Sequence, residues 1–214
     1  MGTERQPWLE ASEVIPMFPT LVWKFELHRQ LHESIDASIL RALSGLRHDL
    51  PPLAPAAAWQ SVQTLHEREE LRDLVACIER AAQGILRFLS IGASAIEITA
   101  CWANVLSPGA SHKLHSHPNN YLSGVYYVRT YAGGNTIQFH DPRMQTAVIR
   151  PPVTALTADN TDQVVVGVNN GTLLMFPAYL QHSVDANRSA QERVSVSFNL
   201  MFSAFPEQLS KPLW

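Results

Sequence analysis

The chain has 214 residues, 46% hydrophobic and 16% charged, so it carries enough apolar side chains for a folded core and is not a disordered segment. Lys and Arg number 16 against 19 Asp and Glu, a formal net charge of −3, which leaves no basic footprint for nucleic acid. Cys77 and Cys101 are too few for a disulfide framework, MGTERQPWLEASEV has charges where a signal peptide is apolar, and no window approaches the roughly 18 apolar residues of a membrane span; one domain in the reducing cytoplasm is expected.

Residues 18–27, FPTLVWKFEL, set Leu21, Trp23, Phe25 and Leu27 against Val22, Lys24 and Glu26, the period of a half-buried strand. Leu31, Ile35, Ile39, Leu43 and Leu46 recur at spacings of four and three, which predicts an amphipathic helix over 31–48. PPLAPAAA at 51–58 breaks it as a proline-rich connection. A second helix is expected over 67–90, with Leu71, Leu74, Val75, Ile78, Ile85 and Leu89 in one stripe and Glu67, Glu69 and Glu70 at the N-terminal end of its dipole. Beyond it, runs rich in Val, Ile, Thr, Tyr and Phe fall at 95–106, 121–129, 135–140, 147–150, 164–169, 172–176, 180–184 and 192–202, punctuated by Gly, Pro and Asn. So many short runs imply a sandwich or barrel. The expected fold is mainly β with flanking helices: residues 1–93 buttress a β core over 94–203, and 204–214 form a tail.

Nine histidines are the oddity of the composition. His115 and His117 stand two apart in SPGASHKLHSHP, so in an extended segment they project from one face and can share a metal ion. His112, three residues before His115, is expected to point elsewhere. His182, after the apolar run GTLLMFPAYLQ, is the third candidate ligand, and imidazole suits iron. His28, His32, His48 and His66 read as solvated, and His140 is left open. A lone strand histidine is ordinarily a surface or hydrogen-bonded residue; a paired HxH with a third histidine on another strand is the pattern of a metal site. Arg193 opens the alternating strand RVSVSFN. On an inward face beside a metal it is uncompensated unless a carboxylate reaches it, and its fork of donors suits one. A dicarboxylate cosubstrate satisfies both ends, with one carboxylate and a keto group on the metal and the distal carboxylate on Arg193 and Ser195.

Gly109-x5-His115-x-His117, SGVYYV at 123–128, GGNTIQF at 133–139 and His182 followed by Arg193-x-Ser195 resemble the 2-oxoglutarate and Fe(II)-dependent oxygenases, especially their prolyl-hydroxylase-like branch. FPTLVW, Trp59 with QTLH at 63–66, HSHPNNYLSGVYYV, FHDPR at 139–143, FPAYLQHSV and RVSVSFN are similar to a group of small oxygenases, a likeness running from Phe18 to Asn199. The resemblance implies a double-stranded β-helix, a jelly-roll or cupin-like barrel, that uses Fe(II), 2-oxoglutarate and O2 and releases succinate and CO2 while hydroxylating a second substrate. Residue by residue, it places His115 and His182 on the two histidine positions of the metal site, Arg193 on the cosubstrate arginine and Tyr127 on a strand tyrosine that assists it. Ser195 and Asn104 are taken as further cosubstrate contacts. Asn119, Asn120, Tyr121, Asp141 and Arg143 are candidate contacts of a small-molecule, amino-acid or peptide substrate, with no catalytic residue beyond the metal ligands. The polar stretch TALTADNTDQ at 154–163 is long enough for a mobile lid, and the outer helices offer a face for a homodimer.

His117 departs from the superfamily, which usually has Asp or Glu at this position. Three histidines make the site one charge more positive than the usual triad; the alternative is that His117 stands aside and Asp141 supplies a carboxylate. The spacing is also similar to the cupin pattern, with Gly109-x5-His115-x-His117 in its first half and Gly171-x5-Pro177 followed by His182 in its second. That reading gives a three-histidine dioxygenase or isomerase, or a metal-dependent ligand-binding module. Tyr121 and Leu122 stand where a cupin has its Glu, Tyr179 replaces a cupin glycine, and Arg193 is left unexplained.

Overall fold

The computed structural model describes residue 8 and residues 10–92, 95–143 and 151–203. Its elements, in chain order, are β1 (Trp23–Glu26), α1 (Arg29–Leu46), β2 (Ala58–Gln60), α2 (Arg72–Phe88), β3 (Ile96–Leu106), β4 (His112–His115), β5 (Leu122–Arg129), β6 (Thr136–His140), β7 (Gln163–Gly167), β8 (Thr172–Pro177), β9 (His182–Val184) and β10 (Arg193–Phe202). A six-stranded sheet runs β1-β8-β5-β10-β3-β2, and a four-stranded sheet runs β4-β9-β6-β7. All their pairings are antiparallel. From β3 onward the chain passes back and forth between the sheets, and two strand layers wound in this way are the double-stranded β-helix implied by the resemblance.

The large sheet is covered on both faces, so its central strand is buried throughout: Leu122 to Val128 are all buried. Its inward side chains, including Val125, Tyr127, Leu174 and Phe176, meet Ile137, Phe139 and Val184 of the small sheet. Its outward ones, including Tyr126, Leu173, Met175, Val196 and Phe198, pack against Ile35, Ile39, Leu43, Leu74, Ile78 and Ile85 of the helices. The helical half therefore buttresses the barrel from outside, as the sequence predicts. Strand alternation sends Tyr127 into the barrel and Tyr126 beneath α1. There the Tyr126 hydroxyl donates to Asp36 Oδ1 at 2.8 Å, and Asp36 Oδ2 lies 3.2 Å from His32 Nδ1.

Several elements differ from the sequence expectations. The first strand is confined to Trp23–Glu26, the residues that pair with Thr172–Met175 of β8, and Phe18 lies before it with a left-handed φ of 53°. The second helix starts at Arg72, after 3-10 turns at Leu65–Glu67 and Glu69–Leu71. These tight turns let Leu65 and Leu71 both reach the core, at 0% and 1% exposure, which one continuous helix axis does not allow. β2 and β4 are strands that composition does not reveal, since each is short and held by pairing alone, to β3 and β9 respectively. His32 and His66 are half-buried rather than solvated. The run at 147–150 and the tail at 204–214 lie outside the described residues. Among the described residues no helix is long and apolar enough to cross a membrane.

Candidate metal centre

β4 and β9 pair so that His115 lies directly opposite His182, and their ring centroids are 4.3 Å apart. His117 follows β4 immediately, its backbone N–H donating to Ala178 O at 2.9 Å. Its ring lies 5.1 Å from that of His115 and 5.2 Å from that of His182. One nitrogen from each imidazole lies within 4.8 Å of the others, so the three could hold one ion.

Hydrogen bonds also fix which nitrogen is offered. His115 Nδ1 is 2.7 Å from Lys113 O, and His182 Nδ1 is 3.0 Å from Leu180 O. A carbonyl only accepts, so Nδ1 carries the proton in both rings and Nε2 presents its lone pair. Burial, opposed by the Leu180 carbonyl and reinforced by neighbouring histidines, lowers the His182 pKa to about 3. Burial and then the neighbouring His115 lower that of His117 to about 4. Both are neutral near pH 7, the form that ligates a metal.

His112 does not point elsewhere. Between the two registered pairs, His112 opposite Val184 and His115 opposite His182, β4 advances three residues while β9 advances two. That extra residue is a bulge, and it reverses the strand's parity so that His112 also faces the cavity between the sheets. Its ring centroid is 6.4 Å from that of His115, and burial lowers its pKa to about 4.

The large sheet supplies another wall of this cavity. Ser195 of β10 is registered with Tyr127 of β5 on one side and Asn104 of β3 on the other. Arg193, only 3% exposed, holds its guanidinium carbon 5.2 Å from the Tyr127 ring centroid. Arg193 Nε and the Tyr127 hydroxyl are both buried without a hydrogen-bond partner. Burial pushes the Tyr127 pKa up and that of Arg193 down, and the closeness of the two groups opposes both shifts without a hydrogen bond of proper geometry forming between them. An arginine buried in this state is costly unless an anion reaches it, so the donor set on this wall is that of a carboxylate receptor.

The other predicted contacts are placed differently. Asn104 donates from Nδ2 to Ser197 Oγ at 2.9 Å and accepts at Oδ1 from Gln60 Nε2 at 2.7 Å. It braces the wall, and Ser197, missed in the sequence, lines the cavity in its place. Asn119 is exposed, with φ of 63°. Asn120 is held by the Thr99 hydroxyl and the Pro118 carbonyl. Tyr121 packs on the helix-facing core and against Phe202. Asp141 is bound by Arg143, with Nη2 2.6 Å from Oδ2, and it is not part of the histidine cluster. Both residues line a separate groove of about 530 Å3 with Val22, Phe139, Leu180 and part of the expected lid, including Asp159 and Thr161. His140 bonds to Ser183 Oγ at 2.9 Å. Trp102 was also missed; its ring is 5.8 Å from that of His117, a position that strand alternation predicts once Trp102 is registered with Ser197.

Residues 100–199 match the profile of a family described as "Putative 2OG-Fe(II) oxygenase". No curated protein matches. Among solved structures, a prolyl-4-hydroxylase of Pseudomonas putida is 16% identical with a TM-score of 0.59, the match covering 85% of this chain and 92% of that one. The non-heme alpha ketoglutarate dependent epimerase SnoN of nogalamycin biosynthesis is 13% identical with a TM-score of 0.62, covering 91% and 89%. HygX of Streptomyces hygroscopicus, with nickel and 2-oxoglutarate bound, is 10% identical with a TM-score of 0.59, covering 87% and 84%. At these identities the structures speak for the fold, and the profile covers the segment from β3 to β10 that contains every residue of the histidine cluster and the arginine wall. Over residues 100–199 the chain is thus similar to the 2-oxoglutarate and Fe(II)-dependent oxygenases, in the fold those structures share.

Proposed function

We propose that this oxygenase binds Fe(II) through His115, His117 and His182, receives the distal carboxylate of 2-oxoglutarate on Arg193, and hydroxylates a small molecule, amino acid or peptide. The observation that carries the reading is the pair of unpartnered buried donors, Arg193 Nε and the Tyr127 hydroxyl, in the same cavity as three convergent imidazoles. The donor set fits both groups: neutral imidazoles suit a ferrous ion, and a guanidinium fork suits a carboxylate.

When bound, Fe(II), 2-oxoglutarate and O2 supply the oxidant, with succinate and CO2 as the products of the keto acid. The chain's own residues prepare for this. The Lys113 and Leu180 carbonyls hold the His115 and His182 rings with Nε2 free. Tyr127 and Ser195 stand beside Arg193 to complete the carboxylate receptor, and Leu106, Val125, Ile137 and Val184 keep the cavity wall apolar against bulk water. The groove bordered by Asp141 and Arg143 approaches the centre through Phe139, whose ring centroid is 6.2 Å from that of His182, and is the place we assign to the second substrate. The prolyl-4-hydroxylase and the alpha ketoglutarate dependent epimerase share this fold, and hydroxylation is the reaction that the first of them is named for. The unpaired thiols of Cys77 and Cys101 suit the cytoplasm.

Anaerobic titration of 2-oxoglutarate into the Fe(II)-loaded protein, followed by the metal-to-ligand absorption band, tests the reading. The parent should show the band. Arg193→Leu should bind iron as the parent does but bind 2-oxoglutarate at least about tenfold more weakly, through loss of a charge-assisted fork. No band in the parent, or equal affinity in the variant, would overturn it.

A further inference from the structure

We propose that His112 is a cosubstrate-binding residue, a fourth histidine whose ring N–H donates to a carboxylate of 2-oxoglutarate lying between the three-imidazole cluster and Arg193. The proposal rests on the function argued above. Its first support is the bulge in β4: a regular strand would turn His112 and His115 to opposite faces, and the extra residue turns both inward. The second is distance. His112 lies outside the set of imidazoles whose nitrogens fall within 4.8 Å of one another, and its ring centroid is 6.4 Å from that of His115. It is therefore not placed to share the ion.

The third support is what surrounds the ring. His112 lines the cavity together with His115 and His182 of the imidazole cluster and with Tyr127, Arg193 and Ser195 of the arginine wall. It thus shares one cavity with both ends at which the keto acid would be held. Its side chain makes no hydrogen bond among the described residues, in contrast to His115 and His182, which are each fixed by a carbonyl. A neutral imidazole is well suited to this position, because it offers an N–H to a carboxylate without adding another positive charge beside a guanidinium and a divalent ion.

The test compares the parent with His112→Ala and His112→Asn, each checked for a parent-like thermal transition. Fe(II) affinity is measured anaerobically without 2-oxoglutarate, and 2-oxoglutarate affinity is then read from the absorption band or by calorimetry. Iron affinity should stay within about twofold of the parent in both variants, while His112→Ala weakens 2-oxoglutarate binding by about tenfold, the size of one hydrogen bond to a charged acceptor. His112→Asn, which keeps an N–H donor, should recover most of that loss. Unchanged 2-oxoglutarate affinity in His112→Ala, or equal losses in the Ala and Asn variants, would overturn the proposed hydrogen bond alone. A large loss of iron in the absence of 2-oxoglutarate would make His112 a metal ligand instead. A parent that holds iron but no 2-oxoglutarate would overturn the function on which the proposal rests.

Discussion

At the scale of single residues, the most informative position is His117, which stands where the family that the sequence resembles usually has a carboxylate. Its imidazole is as close to the other two as they require for a shared ion, and burial keeps it neutral. His117→Ala should therefore weaken anaerobic Fe(II) binding by at least about tenfold, while His117→Asp should retain the ion, because a carboxylate is also a ligand and reduces the net positive charge of the site. Calorimetric titration of Fe(II) into both variants checks this; parent-like affinity in His117→Ala would remove His117 from the site. The HxH spacing and the distant third histidine were legible in the sequence because strand alternation alone brings two of them to one face. His112 was misread because a bulge leaves no mark in local composition. The surroundings of Asn104 were not legible because its amide is engaged by Gln60 and Ser197, and Gln60 lies on a strand hidden behind a proline-rich stretch.

The same division holds for elements. β5 and β10 were legible from their β-branched and aromatic runs, but the reason β5 is buried on both faces is a tertiary one: helices cover one side of its sheet and the second sheet covers the other. That double cover leaves no room at Gly124. A Cβ there would lie 2.2 Å from Phe198 Cζ and 2.6 Å from the Leu174 carbonyl oxygen, so the ring of Phe198 crosses β5 only because residue 124 has no side chain. The backbone atom of β8 cannot retreat without breaking its own pairing with β5. Gly124→Ala should destabilise the protein by about 3 kcal/mol through overpacking, read as a lower denaturant midpoint; a parent-like midpoint would show that the sheet can yield here. The helix start at Arg72 was not legible, since Leu71 continues the stripe of Leu74, Val75 and Ile78 while the 3-10 turn that holds it spans only three residues.

For the molecule as a whole, the histidines that furnish the cavity also set its response to acid. Burial lowers the pKa values of His112, His117 and His182 to about 4, 4 and 3, against about 6.5 for an exposed histidine. Once the pH falls below that ordinary value, the unfolded chain takes up protons that the folded chain refuses. The stability these groups contribute is thus complete above about pH 6.5 and is lost progressively towards pH 4. The slope approaches about 1.4 kcal/mol per pH unit for the deeply buried His182, and less for the other two, which solvent partly reaches. Asp36 acts in the opposite sense, since burial raises its pKa and the folded state then accepts its proton first, but a carboxyl group counters the loss mainly at lower pH. In the presence of a chelator, urea unfolding should therefore show falling stability from pH 6.5 to pH 5, and His182→Asn should shallow that slope by removing one of the three protons. A bound divalent ion should steepen it, because the ion favours the folded state only while the imidazoles are neutral. A metal-free protein whose stability is flat across this range would mean that the three rings titrate as if in water, and that the cavity is open to solvent rather than enclosed between the two sheets.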